Sequence, residues 1–148
     1  MKVQSKDGSV QTDHAPKLFA AWVIALCASL AVLFIGEVLG QTPCILCWFQ
    51  RAFMFPLSVI LGIAVWRADT EVWRYGASLA AIGGAIAGYH SLLYVGVIPE
   101  AIQPCTAAGP SCTDQAMVIL GLPIPFLSVL TFGTILILLM KLRARSLV

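Results

Sequence analysis

Charge is what this sequence has least of: only 11% of its 148 residues are Asp, Glu, Lys or Arg, against roughly 25% in a soluble globular domain. So little charge cannot coat a water-facing surface, which excludes the soluble classes. The formal net charge of +2 is also too small to mark a nucleic-acid-binding face, and no nucleic-acid partner is expected. Positive charge is missing from two places in particular. Residues 37–42 and 98–121 contain no Lys or Arg. With a cytoplasmic amino terminus these become the two outer loops, and eight of the nine basic residues (Lys2, Lys6, Lys17, Arg67, Arg74, Lys141, Arg143 and Arg145) fall on the inner side. A convincing small-residue cleavage site is absent as well, so the first apolar segment is expected to be a retained span rather than a removed signal.

What the chain has instead is apolar length. Hydrophobic residues make up 59% of it, and its mean hydropathy is +0.92. Four segments, residues 18–36, 43–66, 75–97 and 122–140, approach or exceed the roughly 20 residues needed to cross a bilayer. The expected fold is therefore an all-α membrane protein: a bundle of four transmembrane helices with both termini cytoplasmic and two extracytoplasmic loops. Residues 1–17 read as a flexible polar tail, 18–140 as the single membrane domain and 141–148 as a basic cytoplasmic tail. The short turn "RADTEVWR" makes the second and third helices antiparallel neighbours. Trp66, Trp73 and Tyr75 suit the inner interface, and Trp48 and Tyr94 the outer one. In "AAIGGAIAGYH" the small residues Ala80, Gly84 and Gly88 recur every fourth position and predict a close helix contact. Pro123 and Pro125 suit a first helical turn, where some N–H groups have no intrahelical partner.

Five cysteines divide into two pairs and a singleton. Cys27, in mid-span, reads as a small apolar filler. Cys105 and Cys112, in "PCTAAGPSC" on the second outer loop, are close enough to join in a disulfide, either as a structural staple or as a redox pair. In "TPCILCWFQR", Thr42 is a candidate N-cap and Pro43 a first helical residue, placing Cys44 and Cys47 in the opening turn and a half of the second helix. At i and i+3 their Cα atoms fall within disulfide range, about 5 to 6 Å apart. Unpaired N–H groups and the helix dipole favour a thiolate there. Arg51 follows Cys47 by four residues, on the same helical face. It is the one basic residue on the outer side, and it either snorkels to the headgroups or serves the site. His90 lies in the third helix at an expected depth similar to that of Arg51. It is either a structural, hydrogen-bonded histidine or, with Arg51, a holder of the two carbonyl oxygens of a quinone. Zinc on the four paired cysteines is disfavoured by the six-residue spacing of the second pair and by the lack of a nearby further ligand, and no metal is expected. Two thiol pairs can pass a disulfide between them through a mixed disulfide. Such a chain would turn two protein thiols into a disulfide and deliver two electrons to the membrane.

The combination resembles the DsbB family of disulfide bond formation proteins. "PCILCWFQR" is similar to that family's CxxC at the start of the second helix with an arginine four residues after the second cysteine, and "GLPIPFLS" is similar to its fourth-helix start. The resemblance covers nearly everything after the amino-terminal tail. It implies a protein-dithiol:quinone oxidoreductase of the bacterial cytoplasmic (inner) membrane. Cys105 would be attacked by a reduced DsbA-like thioredoxin-fold oxidase, Cys112 would exchange with Cys44, and Cys47 would face the quinone. Arg51 and His90 would bind ubiquinone or menaquinone. The short spacing between Cys105 and Cys112 is closer to the BdbC-like branch than to members with a long second outer loop. A vitamin K epoxide reductase-like protein is disfavoured, because its loop cysteines precede the CxxC. A non-enzymatic membrane scaffold is the reading from another class.

Overall fold

A computed structural model of the chain describes residues 7–98, 118–119 and 121–146. Four helices long and apolar enough to cross a membrane dominate it: α1 (Asp7–Leu33), α2 (Ile45–Arg67), α3 (Trp73–Tyr94) and α4 (Ile124–Ser146). Each packs against two others in the cyclic order α1, α2, α3, α4, so the expected four-helix bundle is present. The only strands among the described residues are Val118–Ile119 and Leu122–Pro123, a two-residue antiparallel pair leading into α4.

The core is built from small and branched residues facing inward. Ala21 and Ala25 of α1, Leu57 and Leu61 of α2, Ala80 and Ala87 of α3, and Phe132, Ile135 and Leu139 of α4 have at most 1% of their surface exposed. The outward faces are also apolar, with Leu30, Phe49, Ile63, Leu130 and Ile137 more than half exposed. Apolar residues on both faces are what a lipid solvent requires. Buried hydroxyls are satisfied locally, as the bilayer demands. Ser29 donates to the Ala25 carbonyl at 2.8 Å, and Ser91 to the Ala87 carbonyl at 2.9 Å.

The helix ends carry recognisable local chemistry. After α2, Ala68 takes the left-handed conformation (φ 51°) while its N–H and that of Asp69 return to the last-turn carbonyls of Val65 and Ala64. Asp69 then caps a single 3-10 turn, accepting the Glu71 N–H at 2.9 Å, and the chain re-enters the bundle antiparallel. At the other end of α3, Gly96 (φ 79°) closes the same type of motif, with Val97 N–H bonded to the Leu92 carbonyl.

Several boundaries differ from expectation. Helix α1 begins at Asp7, within the segment expected to be a flexible tail, and passes through Pro16. Extending an existing helix costs far less than nucleating one, so a polar stretch abutting a stable span propagates it. At its other end α1 continues as a five-residue π-helical turn, Phe34–Val38. Helix α3 stops at Tyr94, earlier than the expected 97, because the Gly96 motif terminates it. Trp66 and Tyr75 project outward as an interface belt would, whereas Trp73 is half-buried with the guanidinium groups of Arg74 and Arg143 over its ring.

The small-residue stripe is shifted as well. Ala80 is buried as expected, together with Gly76, Gly83 and Ala87, and half-buried Gly84 also faces Phe132, whereas Gly88 does not. A Cβ on Gly83 would run into the Phe132 ring, and one on Gly76 would sit 2.9 Å from Leu139 Cδ1, while one on Gly88 meets nothing within 4 Å. Gly83→Val is therefore expected to lower stability by about 1–3 kcal/mol through overpacking. Gly88→Ala is expected to be neutral or to add about 0.5–1 kcal/mol by relieving helical glycine entropy. Unfolding of the two purified variants in one detergent, compared with the parent, checks the contrast.

Candidate functional site

The start of α2 brings the first thiol pair together. Cys44, not Thr42, is the N-cap: its backbone is extended (φ −68°, ψ 167°), and its sulfur accepts the Cys47 N–H at 3.4 Å. The capping position lies two residues beyond Thr42. A thiol thus takes one of the orphan N–H groups of the first turn. One turn later, Cys47 Sγ lies 3.0 Å from Cys44 Sγ as an unbonded thiol contact. The expected proximity of the pair is present.

The two sulfurs face different surroundings. Cys44 is 1% exposed, in a small apolar cluster with Leu46 and Leu93. His90, fully buried on α3, places Nε2 3.9 Å from Cys44 Sγ, and its other ring nitrogen lies 3.1 Å from Gln50 Nε2. Helix α3 ends at Tyr94, so His90 sits one turn from its terminus, within reach of both Cys44 and Gln50. Cys47 is half-buried and lines a cavity of about 670 Å³ bounded by α1, α2 and α4.

That cavity is apolar along most of its wall, with Val23, Ile24, Ala28, Ile35, Met54, Leu127 and Phe132 among its lining residues. Cys47, Gln50 and Arg51 supply polar groups from α2. Exposed Cys27 also lines it, so this cysteine is not the interior filler expected. A largely apolar cavity of this size with a few convergent polar groups is the usual form of a small-molecule site. His90 is not among its lining residues.

Arg51 is held across the helix pair. Its Nη2 donates to the Val32 carbonyl at 2.8 Å, and its guanidinium lies 5.5 Å from the centroid of the Trp48 ring. The π-helical turn begins two residues after Val32, where the i→i+4 ladder is interrupted. Gly36 sits in that turn, and a Cβ on it would lie 3.2 and 3.3 Å from Nη2 and Nη1. Glycine is what lets the guanidinium approach. Among the described residues no carboxylate forms an ion pair with Arg51.

Cys105 and Cys112 lie outside the described residues. Gln50 and Gly36 are the residues that sequence reasoning missed. The available signals were a carboxamide inside an apolar span and a glycine just before a charged residue, but neither identifies a partner on another helix.

Residues 15–142 match the family described as "Disulfide bond formation protein DsbB". A "Probable disulfide formation protein" of Metapseudomonas resinovorans is 55% identical over 130 residues, covering 87% of this chain and 90% of the relative. "Disulfide bond formation protein C" of Bacillus subtilis is 39% identical over 130 residues, covering 87% of this chain and 94% of the relative. A "Probable disulfide formation protein" of Deinococcus radiodurans is 41% identical over 138 residues, covering 87% and 90%. No solved structure matches significantly. With a CxxC pair capping the second of four membrane helices, the chain belongs to the DsbB family of disulfide bond formation proteins.

Proposed function

We propose that this multi-pass membrane protein is a protein-dithiol:quinone oxidoreductase, reoxidising a DsbA-like thioredoxin-fold thiol oxidase outside the bacterial cytoplasmic membrane. The observation that carries the reading is the position of Cys47: it touches Cys44 on one side and lines the apolar cavity beside Arg51 on the other. A thiol so placed can take electrons from a disulfide-exchanging partner and present them to a lipid-soluble acceptor. The orientation follows the basic residues, with both tails cytoplasmic and the CxxC end outside.

The partner's two thiols reduce a Cys105–Cys112 disulfide, giving the partner a disulfide and this chain a dithiol. Cys112 then attacks Cys44 of a Cys44–Cys47 disulfide, and Cys105 resolves the mixed disulfide, restoring the outer pair and leaving Cys44 and Cys47 reduced. The inner dithiol then gives up two electrons and two protons. Ubiquinone or menaquinone, when bound, supplies the sink for both.

The cavity fits such a group. Its volume and apolar wall suit a substituted ring with a prenyl tail, and Arg51 and Gln50 offer N–H donors to carbonyl oxygens. Arg51 also supplies positive charge four residues from Cys47, where it stabilises a sulfur anion. Gln50 reaches both the cavity and His90. His90 then serves the thiol pair from behind, next to Cys44, and would influence quinone binding through Gln50 rather than by lining the cavity itself.

Purified protein given a reduced thioredoxin-fold oxidase is expected to reduce a short-chain ubiquinone or menaquinone, monitored by quinone absorbance. Absence of turnover with both quinone classes, with Cys44, Cys47, Cys105 and Cys112 intact, would sink the enzyme reading. Arg51→Ala is expected to raise the apparent KM for quinone about 10- to 100-fold, the equivalent of one hydrogen bond to a charged group. Thiol exchange at Cys105 and Cys112, followed by trapping the mixed disulfide with the partner, should change little. Equal loss of both steps would instead make Arg51 a structural residue.

A further inference from the structure

We propose that Ser128 on α4 donates a hydrogen bond to one of the two carbonyl oxygens of the bound quinone, while Arg51 and Gln50 on α2 serve the other. The assignment rests on the quinone reading above and names the residue that takes the place expected of His90. The two oxygens of a para-quinone point in opposite directions from the ring, so donors on one wall leave the far oxygen without one. Arg51 and Gln50 both come from α2, and His90 does not line the cavity. A second donor has to come from another wall. Helices α2 and α4 stand at opposite corners of the bundle, and α4 contributes Ile124, Leu127, Ser128, Thr131 and Phe132 to the lining.

On that wall the Ser128 hydroxyl is the uncommitted group. Hydroxyls inside a membrane span ordinarily donate to a carbonyl one turn back in their own helix. Ser29, Ser58, Ser78, Ser91, Thr131 and Thr134 all do so, at 2.7–2.9 Å. Ser128, half-buried, has no hydrogen-bond partner among the described residues. An unmade hydrogen bond in an apolar span carries a cost, and a ligand carbonyl in the cavity removes it. Thr131, on the same wall, already has its proton on the Leu127 carbonyl. Gln41 and Thr42 also line the cavity, but both are exposed, where water satisfies them. A hydroxyl brings a further property, because it both donates and accepts. By rotating, it donates to a quinone carbonyl and accepts from the O–H of the quinol, so one side chain holds the ligand in both oxidation states.

The test reads the carbonyl bands of the bound ligand as well as turnover. The full-length parent and Ser128→Ala are loaded with a short-chain ubiquinone or menaquinone, whichever binds the parent, carrying ¹³C at one carbonyl at a time, and infrared difference spectra are recorded. In the parent both carbonyl bands are expected below their positions in free quinone, as hydrogen bonding requires. Ser128→Ala should return one band to the free position and leave the other in place. It should also raise the apparent KM for quinone about 2- to 10-fold, the equivalent of one neutral hydrogen bond. A loss of packing would move KM without moving a band. Both bands unchanged in Ser128→Ala, or both released together, would overturn the assignment while leaving the oxidoreductase reading in place. If neither quinone binds the parent, this assignment and that reading fall together. Alanine is a better helix former than serine, so the variant is expected to fold as the parent does.

Discussion

A guanidinium inside an apolar helix bundle has to be accommodated before anything else in this fold can be built around it. An arginine at the centre of a membrane span costs roughly 2.5–3.5 kcal/mol on insertion scales, and one near a helix end, as Arg51 is in α2, costs less. The hydrogen bond from Arg51 to the Val32 carbonyl, a charged one, returns about 1.5–3 kcal/mol. The Trp48 ring under the guanidinium adds about 0.5–2 kcal/mol more. Those contacts exist because α1 gives way to a π turn just beyond Val32 and because Gly36 has no side chain to obstruct the approach. The cavity between α1, α2 and α4 then has a fixed positive charge at the same end as Cys47. Without that charge the cavity would be an apolar cleft with nothing to orient a polar head.

The thiol pair is divided by this geometry into two faces. Cys44 caps the helix and is enclosed by apolar neighbours and His90. Cys47, one turn deeper, looks into the cavity. Helical spacing of three residues is what allows two sulfurs to touch while their other surroundings differ so much. Gln50 links the two sides, lining the cavity and reaching the ring of His90.

The four-helix framework around the site is maintained by shape more than by polar contact. Gly76, Ala80, Gly83 and Ala87 present a shallow face on α3, and α4 fills it with Phe132 and Leu139. Lipid offers no hydrophobic gain for joining two apolar helices, so close backbone approach has to provide the attraction. This is also why the stripe could not be located from the sequence. Ala80, Gly84 and Gly88 keep a spacing of four while the buried set steps by four, three and four, and only the bulk on the facing helix decides which small residues are needed.

Apolar length and the spacing of Cys44 and Cys47 determined the membrane class, the number of spans and the closeness of the thiol pair. These are local or additive properties: a run of residues is long enough to cross a bilayer or it is not, and i, i+3 and i+4 relations follow from the helix itself. Tertiary structure decided everything that needed a second helix. It set His90 beside Cys44 rather than in the cavity wall, brought Gln50 to that ring, and placed Gly36 under Arg51. Each of these depends on where α1 and α3 end relative to α2. A π turn after Leu33 and a left-handed Gly96 set those ends, and neither is visible in hydrophobic periodicity.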